Sequence, residues 1–260
     1  MLLRDFIAAM EQIAPPSLAE DWDNAGLVVG TEQKSVKNVL VALDCTTAVA
    51  DEAKARGCEL VVAHHPLLFH SAKKLLPDDP DTAAVFRLIR NGVGLYSAHT
   101  NLDAAEGGVN DVLAGLFGIV SAEPFLDGMG RVGLLQRACT LDELVSQVNA
   151  LLNTSARFTG DPETAVATLA VLGGAGGDAI RAAKAAGADA LLTGEIRHHE
   201  AWIANEIGLS VIVAGHYETE NVVLLPLIRR LQSVTNDVKY HVAHNGVNPF
   251  ARQKNPEVKP

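Results

Sequence analysis

GCELVVAHH at residues 57–65 and GADALLTGE at residues 187–195 decide the fold. Each leaves a glycine, crosses a short apolar run and ends in polar residues: His64-His65 in one, Thr193-Gly194-Glu195 in the other. The likeness extends outward. AHTNLD (98–103) and GHYETE (215–220) both follow an apolar run and both place a carboxylate four residues after a histidine. Apolar runs at 39–43, 60–63 and 94–98 alternate with helical patterns that run to 56 from a cap at Thr46-Thr47 and over 82–90. Runs at 169–172, 190–192 and 209–213 alternate with helices from Asp178 to about 187 and around Trp202 and Ile203. Short apolar strands alternating with helices predict buried, mostly parallel sheet. The repetition predicts an internally duplicated β-α-β-α-β unit, whose two half-domains face each other with polar groups at the carboxyl ends of their strands. Open α/β sheets bind ligands there. The expected division is 1–124, 125–249 and a polar tail at 250–260.

Other segments are read more simply. Phe6, Ile7, Met10 and Ile13 fall at helical spacing before Pro15-Pro16. Thr140 caps an amphipathic helix through Leu152, and 153–162 reads as loop or hairpin. With 260 residues, 48% hydrophobic and 20% charged, the chain is of ordinary globular composition. Its net charge of −10, with Lys73-Lys74 and Arg229-Arg230 as the only basic doublets, disfavours nucleic acid as a partner. Three cysteines without a C-x-x-C pair suggest a reducing compartment. The N-terminus has no signal-peptide pattern, and no apolar run approaches the ~18 residues of a membrane span. The expectation is a soluble cytoplasmic protein.

The histidines carry the chemistry. His64 and His65 end a strand, and with Pro66 restricting His65 both rings can turn into one cavity. Paired imidazoles there suit a borderline divalent metal such as zinc, iron, manganese or nickel. His99 with Asp103, and His216 with Glu220, are spaced i to i+4, which brings both members onto one helical face. His64, His65, Asp103, His216 and Glu220 exceed the three protein ligands typical of a single catalytic zinc. They suit two ions ~3.5–4 Å apart with a carboxylate bridge and a shared water or hydroxide. Asp44 is either a helix cap or an orienting partner of a ligand histidine. His198-His199, beside Arg197, line the same cleft or are simply a solvated helix start. His70, His241 and His244 are read as structural. GGAGGD (173–178) is either an anion-binding nest or a tight strand-to-helix turn.

DWDNAGLVVG (21–30), AHHPLLFHSAKKL (63–75), SAHTNLDAAEGGVND (97–111), TGEIRHHEA (193–201) and GHYETE (215–220), in this order, resemble the GTP cyclohydrolase 1 type 2 homologues, or Nif-three-like proteins, in their short bacterial form. Departures at Ala25 and Ser71-Ala72 touch no proposed ligand. The resemblance implies a three-layer α/β/α fold, two divalent ions per chain on the same five ligands, and a toroidal homohexamer built as a trimer of dimers. Glu220 or Asp103 would bridge the ions. His99 matches a position close to the centre and, with Glu195, is the candidate for proton movement. The function expected is a metal-dependent hydrolase of a small molecule, in which a metal-bridged hydroxide attacks; the family name points to a nucleotide. Lys73-Lys74, Arg131 and Arg197 are the candidate phosphate contacts. The alternatives are a non-catalytic metal-handling or metal-sensing ring scaffold, and a ring that binds nucleic acid.

Overall fold

The computed structural model describes residues 1–250, so the expected tail beyond Phe250 lies outside the described residues. The chain begins with α1 (Leu3–Ile13), β1 (Gly26–Val29), β2 (Asn38–Ala42) and α2 (Thr47–Ala55). It continues through β3 (Leu60–Ala63), α3 (Ala83–Asn91), β4 (Gly94–Ser97), α4 (Thr100–Ala104) and α5 (Val109–Leu116). A hairpin of β5 (Ile119–Phe125) and β6 (Gly130–Thr140) leads to α6 (Leu141–Leu152), β7 (Arg157–Thr159), β8 (Ala165–Ala175) and α7 (Ala179–Ala185). Then come β9 (Ala190–Glu195), α8 (His198–Glu206), β10 (Ser210–Val213), α9 (His216–Glu220), α10 (Leu224–Val234) and β11 (Lys239–Val242). The order α-β-β-α-β-α-β-α-α thus occurs twice, from α1 to α5 and from α6 to α10.

The strands form two sheets, ordered β1-β4-β3-β2-β11 and β5-β6-β8-β9-β10-β7. Their centres, β2-β3-β4 and β8-β9-β10, are parallel, as the crossover helices require. The edges differ from the mostly parallel reading: β1, β7 and the β5–β6 hairpin pair antiparallel. The stretch 153–162 holds β7, which is not half of a local hairpin but an edge strand pairing Phe158 with Ile212. A partner so distant in sequence leaves no local turn signal.

Alternation along the central strands splits each sheet's side chains into two cores. Val39, Val41, Leu60 and Val62 pack with Phe6 and Met10 of α1, whereas Leu40, Val61 and Leu95 pack with Val49 of α2 and Leu88 of α3. In the second sheet Leu169, Val171 and Leu192 meet α5 and α6, while Ala170, Leu172 and Leu191 meet α7 and α8. Each half is therefore a helix–sheet–helix sandwich. Caps set the helix starts: Thr46 Oγ1 accepts from Val49 N at 3.3 Å, and Thr140 and Glu143 form a reciprocal capping box.

The sheets are not drawn strictly from the two halves of the chain. β11 joins the first sheet beside β2, and Leu224, Leu227 and Leu231 bury themselves against Phe6 and Met10. In return Leu113 and Ala114 of α5 belong to the second core. This exchange locks the halves and aligns both sets of strand ends. Leu227→Ala should therefore cost about 2–5 kcal/mol of unfolding free energy, measured by urea denaturation. The loss should strip protection from amides of β11 and of β2, the latter far from residue 227 in sequence, in hydrogen exchange.

Candidate metal centre

Register places the polar residues. Ala42, Ala63 and Ser97 stand side by side at the ends of β2, β3 and β4, so Asp44, His64-His65 and His99 leave the sheet together. In the opposing set Leu172, Thr193 and Val213 stand in register, and the last residues of β8 and β9, among them Gly173-Gly174 and Gly194-Glu195, and His216 after β10 lie beyond them. Two short helices then return a carboxylate each. In α4 the Asp103 amide bonds the His99 carbonyl at 3.0 Å, and in α9 Glu220 comes back over His216.

Glu220 is the hub. Its Oε2 lies 2.9 Å from His65 Nε2 and 3.1 Å from His216 Nε2, while its Oε1 lies 3.8 Å from His64 Nε2. His64 Nε2 is in turn 3.6 Å from Asp103 Oδ1, and those two buried atoms have no hydrogen-bond partner. Buried polar atoms are nearly always satisfied, and a pair left open toward each other fits a cation held between them. Three groups offer atoms within 4.8 Å of one another, each able to hold a metal ion: His65, His216 and Glu220; His64, Asp103 and Glu220; His64, His65 and His99.

Every imidazole in the cluster is steered from behind. His64 Nδ1 bonds the Ala98 carbonyl at 2.8 Å, His65 Nδ1 bonds Asp44 at 2.8 Å, and His216 Nδ1 bonds Glu195 at 3.1 Å. His99 Nδ1 bonds Asp23 at 2.8 Å, so its Nε2 is also left toward the cluster. Such partners fix the ring and strengthen the free nitrogen as a ligand. Asp44 thus takes the orienting role that the sequence left open, and Glu195 backs a histidine. The backbone makes room as well. A Cβ on Gly174, whose φ is +67°, would overlap Glu220 Oε1 and come within 3.2 Å of His216 Nε2. One on Gly194 would lie 2.7 Å from His216 Cα. The glycine stretch is therefore neither a nest nor merely a turn: it is a floor under the Glu220 and His216 side chains.

Two features escaped the sequence. Asp23, whose side chain is enclosed, accepts from His99 and from Thr100 N and Oγ1. Only its place in DWDNAGLVVG marked it, 76 residues from its partner. Arg131 is no phosphate contact: it is buried, paired with Asp111 and donating to the carbonyls of Ala104, Gly128 and Gly130. Arg197, His198 and His199 are exposed at the start of α8, with His198 accepting from Trp202 Nε1 rather than joining the cluster. His70, His241 and His244 stand outside the metal-ligand groups among the described residues.

The chain belongs to the Duf34/NIF3 (NGG1p interacting factor 3) family. The family model matches residues 1–249. A Clostridium perfringens relative named GTP cyclohydrolase 1 type 2 homolog is 36% identical, the match covering 96% of this chain and 99% of the relative. A Methanocaldococcus jannaschii relative of the same name is 33% identical over 85% of this chain and 90% of its own length. In three dimensions a Bacillus cereus protein related to NIF3 superposes with a TM-score of 0.91 at 26% identity, over 97% and 99% of the two chains. Reduced HcgD from M. jannaschii gives 0.82 at 31% identity, over 94% and 98%. Among the described residues no helix is long and apolar enough to cross a membrane.

Charge is finely balanced across the cluster. Burial opposes the imidazolium at His65, yet hydrogen bonds to Asp44 and Glu220 carry it up to about 10. At His216 burial is likewise overcome by bonds to Glu220 and Glu195, which raise it to about 9. Burial and the nearby Glu220 charge push Asp103 up to about 6. For Glu220 burial is outweighed by hydrogen bonds from His216, His64 and His65, which hold it well below the ordinary carboxylate range.

Two outcomes follow. The folded state binds extra protons at His65, His216 and Asp103, so the metal-free protein should lose stability as pH rises, first from about 4 to 6 and again from about 6.5 to 10. Metal must displace the imidazolium protons, so the difference in melting temperature between loaded and chelated protein should widen over the same upper window. Differential scanning calorimetry checks both slopes. Gly174→Ala should leave the fold intact by circular dichroism but weaken metal binding at least ~10-fold in calorimetric titration, because the added methyl displaces Glu220.

Proposed function

We propose that this protein is a metal-dependent hydrolase with two divalent ions per chain. The observation that carries the reading is the split carboxylate of Glu220: Oε2 faces His65 and His216, and Oε1 faces His64 with Asp103 beyond it. One set of residues would hold each ion, with Glu220 bridging. Such an ion pair supplies Lewis acidity toward an anionic reacting centre and acidifies a water at neutral pH. The chain's own residues do the rest. Asp44, the Ala98 carbonyl and Glu195 keep the ligand rings aimed, and Asp23 holds His99 so that Nε2 can pass a proton to or from the reacting group. Glu195 serves by positioning His216. The borderline donor set suits zinc, iron, manganese or nickel.

The substrate in this reading is a small anionic molecule, with nucleotides the first class to test because relatives carry the name GTP cyclohydrolase 1 type 2 homolog. With Arg131 engaged in structure, Lys73, Lys74 and Arg197 remain as exposed cations for such a ligand. Assembly as a homohexamer in the cytoplasm belongs to the same reading. The exposed Val120 and Leu134 of the β5–β6 hairpin offer apolar surface for contact between copies.

The experiment is elemental analysis of protein purified without added metal, beside His64→Ala and Glu220→Ala. About two ions per chain is expected, with metal and phosphoester or nucleotide turnover lost together in both variants. Full turnover by chelated, metal-free protein would overturn the hydrolase reading. Two tightly held ions with no turnover of any ester or nucleotide would replace it with a metal-handling scaffold.

A further inference from the structure

We infer that Trp22 and Phe69 form an aromatic clamp that holds a planar ring of the substrate at the mouth of the metal centre. The proposal rests on the reading of that centre as the place where substrate reacts. Both side chains stand well out of the protein, at 58% and 49% exposure, although large aromatics are among the residues that gain most from burial. Their ring centroids are 5.6 Å apart at 57°. Trp22 lies edge-on to His99 at 6.0 Å, Phe69 at 6.5 Å, and His99 itself packs 5.4 Å from His64 and 5.8 Å from His65. The two exposed rings are thus separated from the ligand imidazoles by the thickness of one side chain.

Their exposure is held in place. The side chain of Asp23, the neighbour of Trp22, is enclosed and bonded to His99 and Thr100, and the amide of Glu20 donates to Thr100 Oγ1 at 3.0 Å. Asn24 Nδ2 donates to the carbonyl of Leu68 at 2.8 Å, tying the Trp22 turn to the residue before Phe69. The same aspartate that orients His99 therefore fixes Trp22, and one hydrogen bond sets the spacing of the two rings. Beyond Phe69 the surface continues into a cavity of about 420 Å³ lined also by Leu67, His70 and Thr82. Two tilted aromatic faces select a flat π-system, which can stack offset on one and meet the other by its edge; a sugar or an alkyl chain gains less from either. Trp202 and Phe250, the other strongly exposed aromatics of the described residues, make no ring contact with the cluster.

The test reads binding, so it does not depend on turnover. Trp202→Phe leaves Trp22 as the single tryptophan of the chain, a fluorescence reporter inside the clamp. This metal-loaded protein is titrated with adenosine 5′-monophosphate, uridine 5′-monophosphate and ribose 5-phosphate, which share the phosphate and sugar and differ in the ring. Both nucleotides should quench Trp22 and bind about 10-fold or more tightly than ribose 5-phosphate. Phe69→Ala in that background should reduce the preference to about 2-fold or less, Trp22→Ala should do the same by calorimetry, and Trp22→Phe should keep most of it. Folding of each variant is checked by its metal content and circular dichroism; Phe69→Leu replaces Phe69→Ala if that variant misfolds.

Equal affinity for all three probes, no binding of any, or a preference that survives both alanine variants would overturn the clamp. So would loss of oligomer mass in Trp22→Ala without loss of ring preference, which would assign the pair to a contact between copies. Ring-dependent binding without hydrolysis would leave the clamp standing and remove the hydrolase; turnover indifferent to the ring would do the reverse.

Discussion

A single buried carboxylate governs this molecule. Glu220 is almost completely enclosed where two sheets point their strand ends at one another, and a charge in such a place persists only if cations or hydrogen bonds surround it. Three imidazoles supply them, from β3 on one side and α9 on the other. The protein carries more acid than base overall, yet at this point it gathers its histidines. Protons on those rings neutralise the cluster, and the same nitrogens are the ones a metal ion would take as ligands. One geometry would serve both states, with the proton as the competitor of any metal bound there.

The surrounding fold exists to keep that geometry. If each half folded on its own, the distance between His64 and Glu220 would depend on a hinge. The crossing of α10 and β11 to the first sheet, and of α5 to the second core, removes it. Asn110, fully buried on α5, adds a polar link: its amide donates to the carbonyls of Asp103 and Met129 and accepts from Gly173 N. It thereby ties the helix that delivers Asp103 to the strand that floors Glu220. Arg131 performs a similar service, fastening the hairpin to the end of α4 through the Ala104 carbonyl. What looked like a charge for a ligand is a structural bolt.

Around the ligands the chain repeats one device, an imidazole whose Nδ1 is occupied from behind so that Nε2 faces the cavity. The partner is a backbone carbonyl for His64 and a carboxylate for His65, His99 and His216. Either kind of partner fixes the tautomer and orientation of its ring, so the free nitrogens share one direction of approach. The His99 ring is the one backed by a buried aspartate and flanked by exposed aromatics, which sets it apart from the others in the cluster.

The sequence by itself determined the repeated strands, their approximate limits and five residues at their ends. Each of those signals is local: an apolar run of a few residues, a cap such as Thr46 or Thr140, a histidine and a carboxylate one helical turn apart. Hydrophobic period and i,i+4 spacing are written within a dozen residues and can be read there. The sequence could not disclose β7 paired to β10, β11 beside β2, Asp23 behind His99, or the reason for Gly174. Those depend on partners tens to hundreds of residues away, and nothing in the local pattern encodes the distance. Nor could composition distinguish Arg131 as a buried bolt from Arg131 as a free cation, because burial is a property of the packed whole. The candidate ligands were legible one strand end at a time; only tertiary structure brought the two strand-end sets within reach of one carboxylate.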